Sequence, residues 1–272
     1  MEKYSVLMSV YYKESPENLK TAMDSMFVQS IPPDEFVLIC DGPLTSELDN
    51  VIDEKEREYP NVLRVVRFSE NRGLGNALQS GLRKCKFDIV ARMDSDDISL
   101  PDRCKKQLDY LEKHPEVSLV GGAIAEFQTD PSIICSKRIV PEKHEEIVEF
   151  SKFRNPFNHM TLMYRKKDVM SAGGYRHFQY LEDYYLWIRM FIRGYKGHNL
   201  QDVLVYARIG NGMLQRRSGL EYAKSQNKLF GFMLKNNYIT KIQYAKAIMS
   251  RTIISICPHF VRKLAYDKML RV

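Results

Sequence analysis

No apolar run in these 272 residues approaches the roughly 18 that a membrane-spanning helix needs. Paired cysteines are missing as well. Cys40, Cys85, Cys104, Cys135 and Cys257 are scattered with no CxxC, and the six histidines are equally dispersed. Neither a zinc site nor a Cys-His nucleophile is suggested, and the odd count points to reduced thiols in a cytosolic protein. The opening MEKYSVLMSV enters directly into a strand-like pattern, so no signal-peptide layout is expected. A GxxxxGK[ST] phosphate loop is absent, which argues against P-loop ATPases and kinases. Gly73-Leu74-Gly75 is followed by Asn76-Ala77-Leu78, which is no dinucleotide fingerprint. Internal repeats and low-complexity linkers are absent too.

What is present is an ordinary globular composition, 44% hydrophobic and 28% charged, long enough to bury a real core. The net charge of +7 is unevenly placed. Residues 208–272 hold 13 lysines and arginines against two acids, a net of +11, whereas the first 207 residues hold 28 against 32, a net of −4. Such asymmetry marks a basic surface at the C-terminal end, suited to an anionic lipid, a phosphorylated ligand or nucleic acid. The tail carries no recognisable RNA module.

The first 125 residues alternate strand and helix signals. Strands are expected at Tyr4–Val10, Glu35–Cys40, Leu63–Arg67, Phe87–Met93 and Ser118–Phe127. Helices are expected from Ser15-Pro16-Glu17 to about Gln29, over Ser46–Tyr59, over Leu74–Lys84 and from Leu100-Pro101 to about His114. This βα alternation predicts an α/β, Rossmann-like, doubly wound and mostly parallel sheet. Beyond residue 128 the alternation stops. The pattern there predicts a loop or hairpin over 128–143, a short helix over Pro141–Lys152 and a strand at His159–Tyr164. A helical turn at Lys167–Ala172, a helix at Glu182–Arg193 and a mostly helical remainder from Gly219 follow. The simplest division is a catalytic domain over 1–210, with halves 1–127 and 128–210, and a basic helical extension over 211–272.

In doubly wound sheets ligands bind beyond the carboxyl ends of the strands. Ser9-Val10-Tyr11, Asp41-Gly42, Asn71-Arg72-Gly73 and Asp94-Ser95-Asp96-Asp97 all fall at such ends. Three carboxylates within four residues repel one another, so the last cluster persists only if solvent or a cation screens it. Mg²⁺ binds through one or two carboxylates plus substrate phosphates, and Asp-x-Asp at a strand end suits a metal clamping a diphosphate. A divalent metal and a diphosphate, without either nucleotide loop, point to a sugar nucleotide.

The ordered segments MSVYYKE, ICDG, NRGLGNALQSGL, ARMDSDD, GGY and LEDYYLWIRM resemble family 2 glycosyltransferases of the GT-A fold, and in particular the bacterial enzymes that build surface polysaccharides. The resemblance covers roughly residues 3–210. It implies that Ser9, Val10, Tyr11 and Asp41 hold the nucleotide base and that Asn71, Arg72 and Gly73 lie near the base and ribose. Asp94, with Ser95, would sit towards the ribose and diphosphate, Asp96 would ligate Mn²⁺ or Mg²⁺, and Glu182-Asp183 would supply the catalytic pair, with Asp183 as base. Trp187, one turn beyond Asp183, is either core or the floor of an acceptor-sugar site, and Arg189 approaches a phosphate or pairs with a core acid. Asp97 reads as a cap for the following segment, and His159 as a structural residue. The implied activity is inverting transfer from a nucleotide sugar, UDP being the commonest in the family, to a saccharide hydroxyl, with the acceptor on a polyprenyl diphosphate.

Two other enzyme classes fit less well. A nucleotidyltransferase would show a Gly-rich basic loop after its first strand, where this chain has Tyr11-Tyr12-Lys13-Glu14. An aspartyl-nucleophile phosphatase would carry its Asp-x-Asp on an opening strand. A non-catalytic scaffold has no reason to keep Asp94, Asp96 and Asp183 together. Ile242, Ala245, Met249, Ile253 and Ile256 recur at helical spacing, followed by Val261, Leu264, Ala265, Met269 and Val272 beyond Pro258. Lys268 intrudes on the second arc. With their basic neighbours these faces predict docking at the inner, anionic face of the cell membrane, from the cytoplasmic side, the alternative being that both helices pack on the catalytic domain and leave a solvated basic face.

Overall fold

A computed structural model describes residues 2–210 and 219–256, the stretch 250–256 as backbone alone. Ile253 and Ile256 as side chains, and the whole arc from Val261 to Val272, therefore lie outside the described residues. The first half follows the alternation. Strands β1 (Tyr4–Val10), β2 (Glu35–Cys40), β3 (Leu63–Arg67) and β4 (Ile89–Met93) are joined by helices α1 (Pro16–Phe27), α2 (Ser46–Glu58) and α3 (Leu74–Lys84). They pair in parallel in the order β3-β2-β1-β4. Local chemistry sets the helix starts: Pro16 stands at the first position of α1, and the Thr45 hydroxyl accepts the Leu48 N–H of α2.

Alternate residues of each strand face opposite layers. Val6, Met8, Leu38 and Ala91 pack beneath α1, α2 and α4 (Arg103–Lys113), while Leu7, Val37, Ile39 and Val90 pack against α3 and α7 (Glu182–Ile192). Every one of these strand residues is buried, each Val, Leu, Ile or Met side chain contributing about 1.5–3 kcal/mol. Burial on both faces is why these strands read as continuous apolar runs rather than as alternation.

Beyond β4 the sheet becomes mixed. The three-residue β8 (Met163–Arg165) lies between β4 and β6 (Val117–Phe127), antiparallel to both. Its expected start at His159 is instead a 3₁₀ turn over His159–Thr161. β9 (Lys196–Arg208) runs parallel to β6, and β5 (Ile98–Ser99) is added antiparallel to its end. The stretch after Asp97 is thus a two-residue edge strand, and α4 begins three residues later than Leu100-Pro101 suggested. β9 was not anticipated, because its half, KGHNLQD, offers few apolar positions to read. The hairpin expected over 128–143 is present as β7 (Ile134–Arg138), antiparallel to β6. Helices α5 (His144–Ser151) and α6 (Lys166–Ser171) flank this region.

The C-terminal helices α8 (Gly219–Lys235) and α9 (Lys241–Ile256) pack on the catalytic region. Leu229, Phe230, Met233, Ile239 and Ala247 share an apolar cluster with Phe178, Leu181, Tyr184 and Ile188. The outer side of α9 is different: Ile242 is 68% and Met249 60% exposed, and Ala245 is exposed between them.

Candidate active site

The register Val10↔Cys40↔Arg67, together with Met8↔Met93, brings the carboxyl ends of β1 to β4 to one edge. Asp41 follows β2 and is 3% exposed. Its carboxylate accepts the backbone N–H groups of Arg72 at 2.7 Å and Gly73 at 3.0 Å, while the Asn71 amide donates to its carbonyl at 3.1 Å. Asp41 and the Asn71–Gly73 turn are therefore one structural unit. Gly42 allows that closeness: its φ is +94°, and a Cβ there would lie 2.8 Å from the Asn71 nitrogen. Ser9 is half-buried and Val10 buried, whereas Tyr11, Asn71 and Arg72 reach solvent. The Arg72 guanidinium lies over the Phe68 ring.

The acidic turn after β4 alternates in burial. Asp94 and Asp96 are half-exposed, Ser95 and Asp97 are buried. Arg92, the penultimate residue of β4 and almost fully enclosed, forms an ion pair with Asp94. The Ser95 hydroxyl donates to Glu14 Oε2 at 2.7 Å, and Glu14 Oε1 accepts the Ser15 N–H at 2.9 Å, which ties the loop after β1 to the turn. Arg208, at the end of β9, braces the other side. Its Nε donates to the Asp96 carbonyl at 3.1 Å, and its backbone N–H donates to Asp97 Oδ1 at 2.8 Å. Burial first, then the charges of Asp96 and Asp94, push the Asp97 carboxyl well above the usual carboxylate range. The repulsion among three neighbouring carboxyls is eased in this way: one is shifted towards its neutral form and one faces a buried arginine. Asp97 bonds to β9 instead of capping a helix.

Among the described residues no group of three or more His, Cys, Asp and Glu side chains is gathered as a metal cage. Asp94 and Asp96, on the accessible side of the turn, nevertheless match in donor chemistry what Mg²⁺ or Mn²⁺ takes when a diphosphate completes its shell. As oxygen donors they are of the kind such an ion takes, with Asp96 the ligand expected from the sequence.

Glu182 and Asp183 form the first turn of α7, where the helix dipole favours negative charge. Tyr180, just before it, adopts a left-handed φ of 67°, an uncommon conformation for a bulky side chain. A Cβ at Gly75 would meet the Arg176 carbonyl at 3.0 Å and Glu182 Cβ at 3.4 Å, so the start of α3 approaches α7 at a residue without a side chain. Burial, reinforced by the adjoining Asp183, pushes Glu182 up to about 7, against the opposing charge of Arg92. Arg92 thus acts on both acidic elements. The Asp183 carboxylate accepts the Asn155 amide at 2.6 Å through Oδ2 and the Tyr184 N–H at 2.6 Å through Oδ1.

Two candidates for the acceptor site are elsewhere. Trp187 is 0% exposed and wedged among Phe157, His159 and Tyr175, a core position with no surface to offer a sugar. Arg189 donates to the carbonyls of Ala172 and Gly174, both at 2.6 Å, capping the chain after α6 in place of a phosphate or an acid. His159 pairs with the Tyr175 hydroxyl at 2.9 Å, and burial holds its imidazole well below the usual range. Glu14, Arg92, Asn155 and Arg208 were not singled out from sequence. Arg92 carried a signal, as a charge inside an otherwise apolar strand. The other three act through contacts 28 or more residues away.

An open α/β edge bearing an acidic turn and a facing carboxylate pair defines a GT-A-like glycosyltransferase architecture. Residues 5–184 match Glycosyl transferase family 2, and the chain belongs to that family. It is 40% identical to the amylovoran biosynthesis glycosyltransferase AmsE of Erwinia amylovora over 265 residues, 97% of this chain and 98% of that one. It is 36% identical to the UDP-Gal:alpha-D-GlcNAc-diphosphoundecaprenol beta-1,3-galactosyltransferase of Escherichia coli, covering 99% of this chain and 97% of that one. Its fold matches the mannosyltransferase PcManGT of Pyrobaculum calidifontis, solved with GDP-Man and Mn2+, with a TM-score of 0.67 at 16% identity over 98% of this chain and 79% of that one.

Proposed function

We propose that this chain is an inverting glycosyltransferase that moves a sugar from a UDP-sugar to a hydroxyl of a saccharide carried on a lipid diphosphate, in surface-polysaccharide assembly. One observation carries the reading. Arg92, buried behind the site, is ion-paired to Asp94 of the acidic turn while its charge acts on Glu182 of the facing pair. In this reading the acidic turn clamps the donor and is bonded to a buried cation whose charge also reaches the acidic start of α7. The Escherichia coli relative, whose name specifies a UDP-Gal donor and a diphosphoundecaprenol acceptor, supports the choice of substrates.

In this reading Asp41 and the Asn71–Gly73 turn receive the base and ribose, with Ser9, Val10 and Tyr11 beside them. Asp94 and Asp96 face the diphosphate, and Ser95, expected there from the sequence, instead lies buried and braces the turn through Glu14. Mn²⁺ or Mg²⁺ held by Asp96 would offset charge developing on the leaving diphosphate. Asp183 takes the proton of the acceptor hydroxyl while that oxygen bonds to the anomeric carbon and the bond to the diphosphate oxygen breaks. Glu182 lies beside it. Calorimetry with UDP tests the donor side: binding should be tighter in Mn²⁺ than in EDTA, and Asp96→Ala should abolish the difference while keeping the fold. Equal affinity in both buffers for the native protein removes the metal from this site.

The acceptor reading extends to the membrane. No helix among the described residues is long and apolar enough to cross a bilayer. Ile242, Ala245 and Met249 present an outward apolar stripe, with Lys241 and Lys246 also exposed. Docking on the inner face of the cell membrane through this stripe predicts co-sedimentation with anionic vesicles at low salt, weakened in Ile242→Ser/Met249→Ser. Full-length protein remaining in the supernatant rejects it.

A further inference from the structure

Asn155 lies in a loop that has no regular structure of its own, yet its surroundings hold it closely. Arg138 of β7 donates through Nη2 to the Asn155 carbonyl at 2.9 Å and through Nη1 to Asn158 Oδ1 at 2.6 Å. The Asn158 amide in turn donates to the Gly122 carbonyl of β6 at 2.8 Å. Phe157, buried beneath, packs edge-on against Trp187 of α7. The loop is thus clamped from the β6–β7 hairpin on one side and seated on the α7 core on the other.

The orientation of the Asn155 amide follows from its two ends. Oδ1 accepts the Phe157 N–H at 3.4 Å, and Nδ2 therefore points at Asp183 Oδ2, 2.6 Å away. A flipped amide would set an oxygen against a carboxylate and a donor against a donor. We infer that Asn155 is a positioning residue: clamped by Arg138, it aims the Asp183 carboxylate and holds it in its proton-accepting state. The inference rests on the reading of Asp183 as base. It also gives β7 a task, since this edge strand supplies the arginine that fixes the loop.

The physical argument has two parts. A hydrogen bond to the charged form of a carboxylate favours that form, so losing the donor makes the base easier to protonate. A carboxylate on the first turn of a helix also keeps side-chain rotations, and displacement by about 1 Å costs on the order of 10²-fold in rate. Asn155 restrains the rotation through a partner that is itself immobile.

The test uses full-length protein with UDP-galactose and an N-acetylglucosaminyl diphospho-lipid, following kcat, KM and UDP affinity across pH. Asn155→Ala should lower kcat by roughly 10- to 100-fold, leave UDP affinity within about twofold, and move the acid limb of kcat/KM to higher pH. Asn155→Asp keeps the shape and the acceptor for Phe157 but replaces the donor by a second carboxylate. It should shift the acid limb further, whereas a merely structural role predicts near-native behaviour. If Asp183→Asn loses transfer while both Asn155 variants keep native kcat and pH profile, the positioning inference is overturned and the base assignment stands. A drop in UDP affinity that parallels the loss of kcat also overturns it, because the loop would then be supporting the donor half. Near-native turnover in Asp183→Asn removes the base assignment itself, and the inference with it.

Discussion

The two halves of the catalytic region reach one site by different routes. Before Phe127, each polar residue of the site follows a parallel strand, so sheet topology alone carries Tyr11, Asp41, Asn71 and Asp94 to a common edge. After Phe127 the sheet is mixed, and the decisive residues stand on an irregular loop and a helix start joined by side-chain bonds, such as Arg138 to Asn155 and Asn155 to Asp183. On the proposed reading, a donor site resting on backbone order should tolerate variation in its surface residues, and an acceptor site resting on a chain of amide and guanidinium contacts should be sensitive to each member.

The largest effect expected from this contrast is in the second half. Asp183→Asn should lose roughly 10²- to 10⁴-fold in transfer rate while retaining UDP binding, measured by turnover and calorimetry. In the first half, Asp41→Ala strikes stability and binding together. It releases two part-buried N–H groups from their acceptor, so denaturant titration should show a loss of roughly 1–3 kcal/mol, with weaker UDP binding.

A smaller, pH-dependent effect separates the members of the acidic pair. Glu182 is raised in the folded state to about 7 from its ordinary value of 4.5, so the native state binds the extra proton between those values. Stability therefore falls as pH rises from about 5 to 7. Glu182→Gln should remove that slope and be relatively stabilising by up to roughly 2–3 kcal/mol at pH 8, with little difference at pH 4.5. Thermal melts of both proteins across this range would check it, and parallel curves would show that Glu182 ionises as freely as in the unfolded chain. The smallest effect is expected at Asp97. Because burial holds its carboxyl well above the usual carboxylate range and it accepts one N–H, Asp97→Asn should change stability by less than about 1 kcal/mol at pH 7. A large loss there would mean that the turn needs the third negative charge.

Much of the fold was legible because its strands are short apolar runs bounded by Asp-Gly, Asn-Arg-Gly and Asp-Ser-Asp turns, and its helices carry their own start signals. The whole candidate edge followed from those boundaries. β8 and β9 were harder for a physical reason. A three-residue strand has too few positions to show a period, and the first part of β9 is polar enough to read as loop. The placement of Trp187 and Arg189 in an acceptor site failed on burial. Helical spacing puts Trp187 one turn from Asp183, but only the packing of Phe157 and Tyr175 against it closes off its surface.

By itself the sequence determined the alternation of the first half, the chemistry of the Asp94–Asp97 turn and the acidic start of α7, since each depends on residue types a few positions apart. Tertiary structure decided what surrounds each carboxyl. Burial beside β9 raises Asp97 well above the usual carboxylate range, Asp94 meets the enclosed charge of Arg92, and Asp183 accepts a hydrogen bond from an asparagine 28 residues before it. Burial and the approach of distant charges set these states, and both exist only once the chain has closed on itself.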